Sequence, residues 1–334
     1  MKKHFISVFT LFGLILLGKL FIGSTINTEN PQAYQKIFED QYNVFALNLP
    51  DDIEFCGERV PLEDREVKER FDRELHVNAY WHSQTLLLMK RANRYFPTIR
   101  PILKQHGIPD DFKYLPLIES GFQDMVSPAG AEGPWQFLAA TGRQYGLEIN
   151  EYVDERYQLA KATEAACKYL NESYKRFGNW TLVAASYNMG SAGLSRNMSN
   201  QQENSYYNLA LNNETARYVF RLLAIKEIMK NPQKYGFQYR KYHLYQQVPT
   251  YKLKVDSSIT NLVSFAKSQG INYKTLKEHN PWVKGSKFVN TSGKTYVFHI
   301  PKKKTEIGVI PDEDLPVFEV PIQEGALKDS MNRH

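Results

Sequence analysis

The sequence predicts a mainly α-helical domain followed by a small β-α-α-β domain. Two observations carry that expectation. Between residues 60 and 230 apolar residues recur at helical spacing with little convincing strand alternation. After Gly236 the character changes: an alternating segment, two short helical segments and a second alternating segment follow one another. At 334 residues, 42% hydrophobic and 23% charged, the chain is long enough for one substantial core plus a smaller module.

The elements follow in order. Lys2, Lys3 and His4 precede an apolar run from Phe5 to Gly18, and Lys19 interrupts it before Leu20. A basic start followed by about 7–15 apolar residues is the pattern of a secretory signal. Residues 1–23 also reach the roughly 17–25 needed for a tilted membrane span. No clean small-x-small cleavage site follows, so a cleaved signal and a retained anchor both stand, and either implies export. Residues 24–59 are polar and read as a tether. Residues 60–236 form the helical domain. Val67, Phe71 and Leu75, then Leu86 to Met89, fit one or two amphipathic helices over 63–94, with a break expected near Phe96 and Pro97 and a short helix to His106. Pro109, Asp110 and Asp111 open the helix "FKYLPLIES", and the turn "GFQDMVSPAGAEGP" follows it. Further helices are expected at 158–177, over "NWTLVAASYN" and at 214–230, the last ending at Asn231 and Pro232. The β-α-α-β unit occupies 248–302, and 303–334 reads as an extended tail.

The formal charge of +6 suits nucleic acid, anionic lipid or an anionic wall polymer. No zinc finger, RNP-like strand or basic recognition helix is present, which argues against nucleic acid. Lys302, Lys303 and Lys304 read as a solvated strand end. Cys56 and Cys167 could pair in an oxidising compartment, but Cys167 lies in an alanine-rich helix where a small buried residue suits equally well. There are no clustered Cys/His ligands and no His-Glu-x-x-His, so neither a metal nor a cofactor is implied.

Glu119 is the residue most suited to chemistry. It ends an apolar helix behind Leu115, Leu117 and Ile118 and precedes a glycine-rich turn. A carboxyl group in a cleft wall loses hydration, and its pKa rises into the range useful to a general acid. Alone, such a glutamate is as readily an ion-pair partner or a cap. Its company changes the balance. The strings "YLPLIESGF", "VSPAGAEGPWQF", "TGRQYGL", "VDERYQLAKATEAACKYL" and "GNWTLVAASYNMG" resemble, over about residues 85–232, the catalytic domain of lytic transglycosylases of the goose-lysozyme-like superfamily, nearest the membrane-bound lytic murein transglycosylase D type.

That resemblance implies a lysozyme-like fold with Glu119 as the sole catalytic carboxylate, and Ser127, Gln136, Tyr187 and Asn188 lining the sugar cleft. Ser120 matches as a helix-end residue, and Gly130 and Gly133 as glycines that let a turn approach substrate. Trp135 and Phe137 read more simply as core. Gln123-Asp124, Pro134 and Met189 depart from the common pattern without removing an essential group. The implied reaction cleaves the bond between N-acetylmuramic acid and N-acetylglucosamine without water and leaves a 1,6-anhydromuramyl end. A two-carboxylate hydrolase instead needs a second Asp or Glu about 5–9.5 Å away, for which Asp124 and Glu132 are the neighbours in sequence. The unit at 248–302 is similar to a divergent LysM module, with glycan binding or docking onto the catalytic domain as its two readings. The partners implied are peptidoglycan glycan strands in the bacterial periplasm or envelope, together with the membrane and proteins of wall synthesis or division. A scaffold that has lost activity and a hydrolytic muramidase are the rival functions.

Overall fold

The computed structural model describes Gln35, Glu39 and residues 44–302. The signal or anchor expected at 1–23, most of the tether, and the tail with Lys303 and Lys304 lie outside the described residues. Leu47–His334 forms one unit and Met1–Ala46 another. Among the described residues no helix is long and apolar enough to cross a membrane.

Packing begins earlier than the polar composition of 24–59 suggests. Glu54–Phe55 (β1) and Glu58–Arg59 (β2) pair antiparallel around a turn in which Cys56 and Gly57 both have positive φ. Ile53, Phe55 and Val60 are buried, and Phe55 meets Phe112 edge-on at 5.4 Å. The C-terminal part of the expected tether is therefore corrected to a hairpin, because a few spaced apolar residues suffice to seat it on the core.

Helix α1, Arg65–Tyr80, starts where the Asp64 carboxylate accepts the N–H groups of Glu66 and Val67, and it buries Val67, Phe71 and Leu75. Trp81 breaks the backbone. Helix α2, His82–Gln105, then runs through both Pro97 and Pro101 instead of ending at the first. A proline inside a helix costs about 3 kcal/mol. Here the buried stripe Leu88, Ala92, Phe96, Ile99 and Leu103 continues past both prolines, the Leu, Phe and Ile side chains each contributing about 1.5–3 kcal/mol. Burial wins over the local break.

The segment expected as one helix after Pro109 is a 3₁₀ turn, Asp110–Tyr114, leading into the short helix α3, Leu115–Glu119. A long loop separates it from α4, Ala139–Gln144. Helix α5, Leu159–Phe177, buries Ala162, Ala165, Ala166 and Leu170 and ends at Gly178, whose φ of 64° suits only a residue without Cβ strain. Helix α6, Trp180–Met189, is capped by Asn179 and also by Glu58, whose carboxylate accepts the N–H groups of Trp180 and Thr181 at 2.6 and 2.9 Å. Gly190 turns the chain into α7, Ser191–Gln201, where the sequence suggested only a turn. Helix α8, Asn213–Lys230, packs along α1 and is buried on almost every side.

On α8, Lys226 is 2% exposed. Its ammonium donates to the Glu54 carbonyl at 2.7 Å, the Glu54 carboxylate at 2.9 Å and the Asp111 carboxylate at 2.6 Å. Asp111 also accepts the Cys56 N–H at 2.7 Å, so one buried charge ties hairpin, 3₁₀ turn and α8 together. Both cysteines are free, with Cys167 buried in α5, so the pairing alternative is set aside.

The small domain pairs β3, Thr250–Val255, with β4, Tyr296–Pro301, from Thr250 against Pro301 to Val255 against Tyr296. Between them lie α9, Leu262–Ser268, and α10, Tyr273–His279, capped by Asn261 and Asn272. Trp282, Phe288, Tyr296 and Phe298 make its aromatic core. The buried Asn280 side chain exchanges hydrogen bonds with the His299 backbone, fixing the end of α10 against β4. The expected mainly α domain followed by a β-α-α-β domain is thus present. The helical domain reaches into it: Val153 is fully buried in the small domain's core.

Candidate functional site

Glu119 is the last residue of α3 and is half-buried. Tyr218, buried on α8, donates its hydroxyl to the Glu119 carboxylate. One turn further, Arg221 donates to the Ile118 carbonyl at 3.0 Å and brings a positive charge near the same carboxylate. Burial pushes the Glu119 carboxyl up to about 7; the Tyr218 hydrogen bond and Arg221 oppose that rise, and the charge of Glu214 adds to it. A carboxyl poised there can donate a proton near neutral pH and take one back.

Ser120 anchors the start of the following loop. Its hydroxyl donates to the Pro134 carbonyl at 2.9 Å and accepts the Phe122 N–H at 3.0 Å. Phe122 has φ of 55° and stacks on Tyr95 at 4.5 Å, so ring packing holds a strained backbone. Ser127 and Gln136 both lie on this loop and are half-buried. The Ser127 hydroxyl accepts the Ala131 N–H at 2.9 Å, and the Gln136 amide donates to the Met125 and Gly133 carbonyls. Gly133 is required by space: a Cβ there would sit 2.2 Å from the Arg156 carbonyl oxygen. Trp135 and Phe137 are buried, and the Trp135 indole donates to Thr163 at 2.9 Å.

Tyr187 reaches the loop from α6, its hydroxyl donating to the Trp135 carbonyl at 2.8 Å. It lies close enough to Glu119 for the carboxylate charge, after burial, to help hold its phenol well above the usual range. Asn188 faces α8 instead: its amide donates to Glu214 at 3.1 Å and its carbonyl accepts the Thr215 hydroxyl at 2.7 Å. The two members of the "YN" pair thus brace opposite neighbours of Glu119, the loop and α8. Of the two carboxylates nearest in sequence, Asp124 is exposed. Glu132 is committed to Arg156 at 3.0 Å and to the Tyr157 hydroxyl at 2.7 Å.

Residues 98–210 match the family model described as the transglycosylase SLT domain, and residues 251–304 match the soluble lytic transglycosylase C-terminal LysM-like domain. These are domains of the lytic transglycosylase superfamily. The chain is 32% identical, over 253 residues, to the membrane-bound lytic murein transglycosylase D of Escherichia coli K12 and to its namesake in strain O6:H1. That alignment covers 74% of this chain and 54% of either relative, so the chain spans about half their length. A putative tributyltin chloride resistance protein of an Alteromonas species is 29% identical over 132 residues, 39% of this chain and 63% of its own.

The transglycosylase match ends before Tyr218 and Arg221, and both escape a reading based on strings around Glu119. The Tyr218 contact joins residues 99 positions apart. The local signal is slight: an aromatic and a cation three apart on a helix that also carries Arg217, Lys226 and Glu227. Because the Tyr218 hydrogen bond favours the ionised carboxylate, Tyr218→Phe should raise the Glu119 pKa. The alkaline limb of the rate profile should then move to higher pH, with maximal rate lowered about tenfold, the worth of one hydrogen bond to a charged group. A rate-against-pH series on both proteins checks this, and an unmoved limb would separate Tyr218 from the proton transfer.

Proposed function

We propose that this protein is a lytic transglycosylase of the membrane-bound lytic murein transglycosylase D type, acting on peptidoglycan glycan strands after export. The observation that carries the reading is the Glu119 carboxyl, held at about 7 at the junction of α3, α8 and the loop. The transglycosylase-domain match and the 32% identity to the Escherichia coli enzymes support it. Glu119 protonates the oxygen between N-acetylmuramic acid and N-acetylglucosamine as the C1–O bond breaks, and the muramyl 2-acetamido group stabilises the positive charge at C1. The Glu119 carboxylate then takes the proton of the same sugar's 6-hydroxyl as that oxygen bonds to C1. The 1,6-anhydromuramyl end forms without uptake of water, and Glu119 returns to its starting state. Intramolecular attack needs no second reactant to be captured. Ser127 and Gln136 on the loop, with Tyr187 and Asn188 behind it, are assigned to hold the sugars. Residues 1–23 supply the route to the envelope, as signal or anchor.

A hydrolytic reading has one observation in its favour. Glu214 is a second carboxylate whose charge is felt at Glu119. Were it to activate water, the product would be a hydrated reducing end. Mass spectrometry of the products from purified sacculi separates the two. Anhydromuramyl ends, still anhydro in Glu214→Gln, are expected; hydrated ends lost in that variant would establish hydrolysis.

A further inference from the structure

The LysM-like domain is joined to the transglycosylase domain by backbone as well as side chains. Val153 and Val283 form an antiparallel bridge, the Asp154 N–H donates to the Trp282 carbonyl at 2.8 Å, and the Lys284 N–H donates to the Tyr152 carbonyl at 2.9 Å. Val153 itself is part of the small domain's apolar core, and Tyr152 and Tyr157 pack against it. Nearby, the Glu148 carboxylate accepts the hydroxyls of Ser292 at 2.5 Å and Tyr296 at 2.8 Å and pairs with Lys294 at 3.2 Å.

From that contact a buried polar chain leads inward. Asp154 is wholly buried, and its carboxylate receives the Arg156 guanidinium in a two-point fork at 2.9 and 2.7 Å. Arg156, 4% exposed, turns its remaining N–H groups to the loop. It donates to the Phe137 carbonyl at 3.1 Å and the Gly130 carbonyl at 3.3 Å, and pairs with Glu132 at 3.0 Å. Glu132 also accepts from Tyr157, whose ring lies against the small domain's core. The loop closes on the Arg156 backbone as well, because Gly133 leaves no room for a side chain there. Only a planar guanidinium can serve a carboxylate fork and two diverging carbonyls at once; a lysine ammonium cannot.

We propose that the LysM-like domain is a brace for the substrate loop: it fixes Val153 and Asp154, Asp154 fixes Arg156, and Arg156 is the positioning residue that sets the loop carrying Ser127 and Gln136 beside Glu119. The brace itself rests on geometry, and its bearing on sugar binding rests on the function proposed above.

Two variants of the full chain test it. Arg156→Met cuts the inner end of the brace. Val153→Ala shrinks the outer anchor, three residues before Arg156, where its side chain sits in the small domain's core. Hydrogen–deuterium exchange reports local opening without requiring turnover. In Arg156→Met the amides of Gly130, Ala131 and Gln136, all hydrogen-bonded within the loop, should exchange at least about tenfold faster, the worth of a lost charged hydrogen bond. Arg156→Lys should not restore them. Val153→Ala should quicken the same amides while α1 and α8 stay protected. Glycan cleavage should show a raised KM in both variants, with the pH of the alkaline limb unmoved. Faster exchange confined to the small domain in Val153→Ala, with the loop amides unchanged, would overturn the brace. Should Arg156→Met exchange faster along its whole length, Val153→Ala alone decides. A wild type that cleaves no glycan refutes the proposed function, while the exchange result still judges the brace.

Discussion

Glu119→Gln should lower the rate of glycan cleavage by about a hundred- to ten-thousand-fold, the usual contribution of a positioned acid–base group. The change keeps the side chain's shape and removes its exchangeable acid proton, so a large loss speaks for proton transfer and not for packing. The same variant carries its own control for folding. Below the ordinary carboxyl value of 4.5, Glu119 is protonated in folded and unfolded chains alike, and the folded site holds it at no electrostatic cost. As pH rises from there through about 7, the unfolded chain ionises freely while the folded one must ionise a desolvated group, and stability is lost. Gln has no proton to lose. The variant should therefore melt at or above the wild-type temperature at pH 8, where the wild-type carboxylate is charged. Rates on sacculi and thermal melts at pH 5 and pH 8 check both halves. A variant that keeps most of the rate would remove Glu119 from the chemistry; one that melts much earlier at pH 8 would show that the carboxylate stabilises the fold.

What the sequence made legible follows the range of each interaction. The helices expected over 63–94, from Asn179 and at 214–230 begin at local events, because the caps Asp64, Asn179 and Asn212 each bond a backbone N–H two or three residues on. The change from helical to alternating pattern after Gly236 is equally local, and a β-α-α-β unit follows the helical domain as expected. Glu119 stood out through strings contiguous with it. Elements that depend on distant partners did not stand out. The hairpin at Glu54 and Glu58 reads as polar tether until Lys226 and the α6 N-terminus supply its partners more than a hundred residues on. Phe96 and Pro97 read as a break because the stripe that overrides it is judged only against α5 and the 3₁₀ turn. Tyr218 reaches Glu119 across 99 positions, and Arg156, although its fork to Asp154 is local, reaches the loop carbonyls across 19 and 26. The Glu119 neighbourhood is therefore only half visible in sequence: the acid and its loop are, the groups that hold them are not.

Helix α8 shows how closely holding and stability are bound together, since it carries Tyr218 at one end and Lys226 near the other. Lys226→Met should destabilise the chain by about 3–5 kcal/mol, the cost of leaving a buried charge without its partner. Asp111 would keep the Cys56 N–H but lose the Lys226 ammonium at 2.6 Å, in a position that is largely buried. For a domain of this size that corresponds to a fall in melting temperature of about 10 °C. The ion pair holds the Lys226 ammonium above its ordinary value, which burial alone would lower. Its stabilisation is thus complete below the ordinary lysine pKa of about 10.4 and fades only as pH climbs through the raised folded value. The melting deficit should accordingly be the same at pH 6 and pH 8, unlike the difference produced at Glu119. Combining Lys226→Met with Asp111→Asn should recover much of the loss, because the orphaned charge goes with it while the Cys56 N–H keeps an acceptor. If the double variant melts no higher than the single one, the stability lies in the packing of the lysine stem and not in the charge it carries.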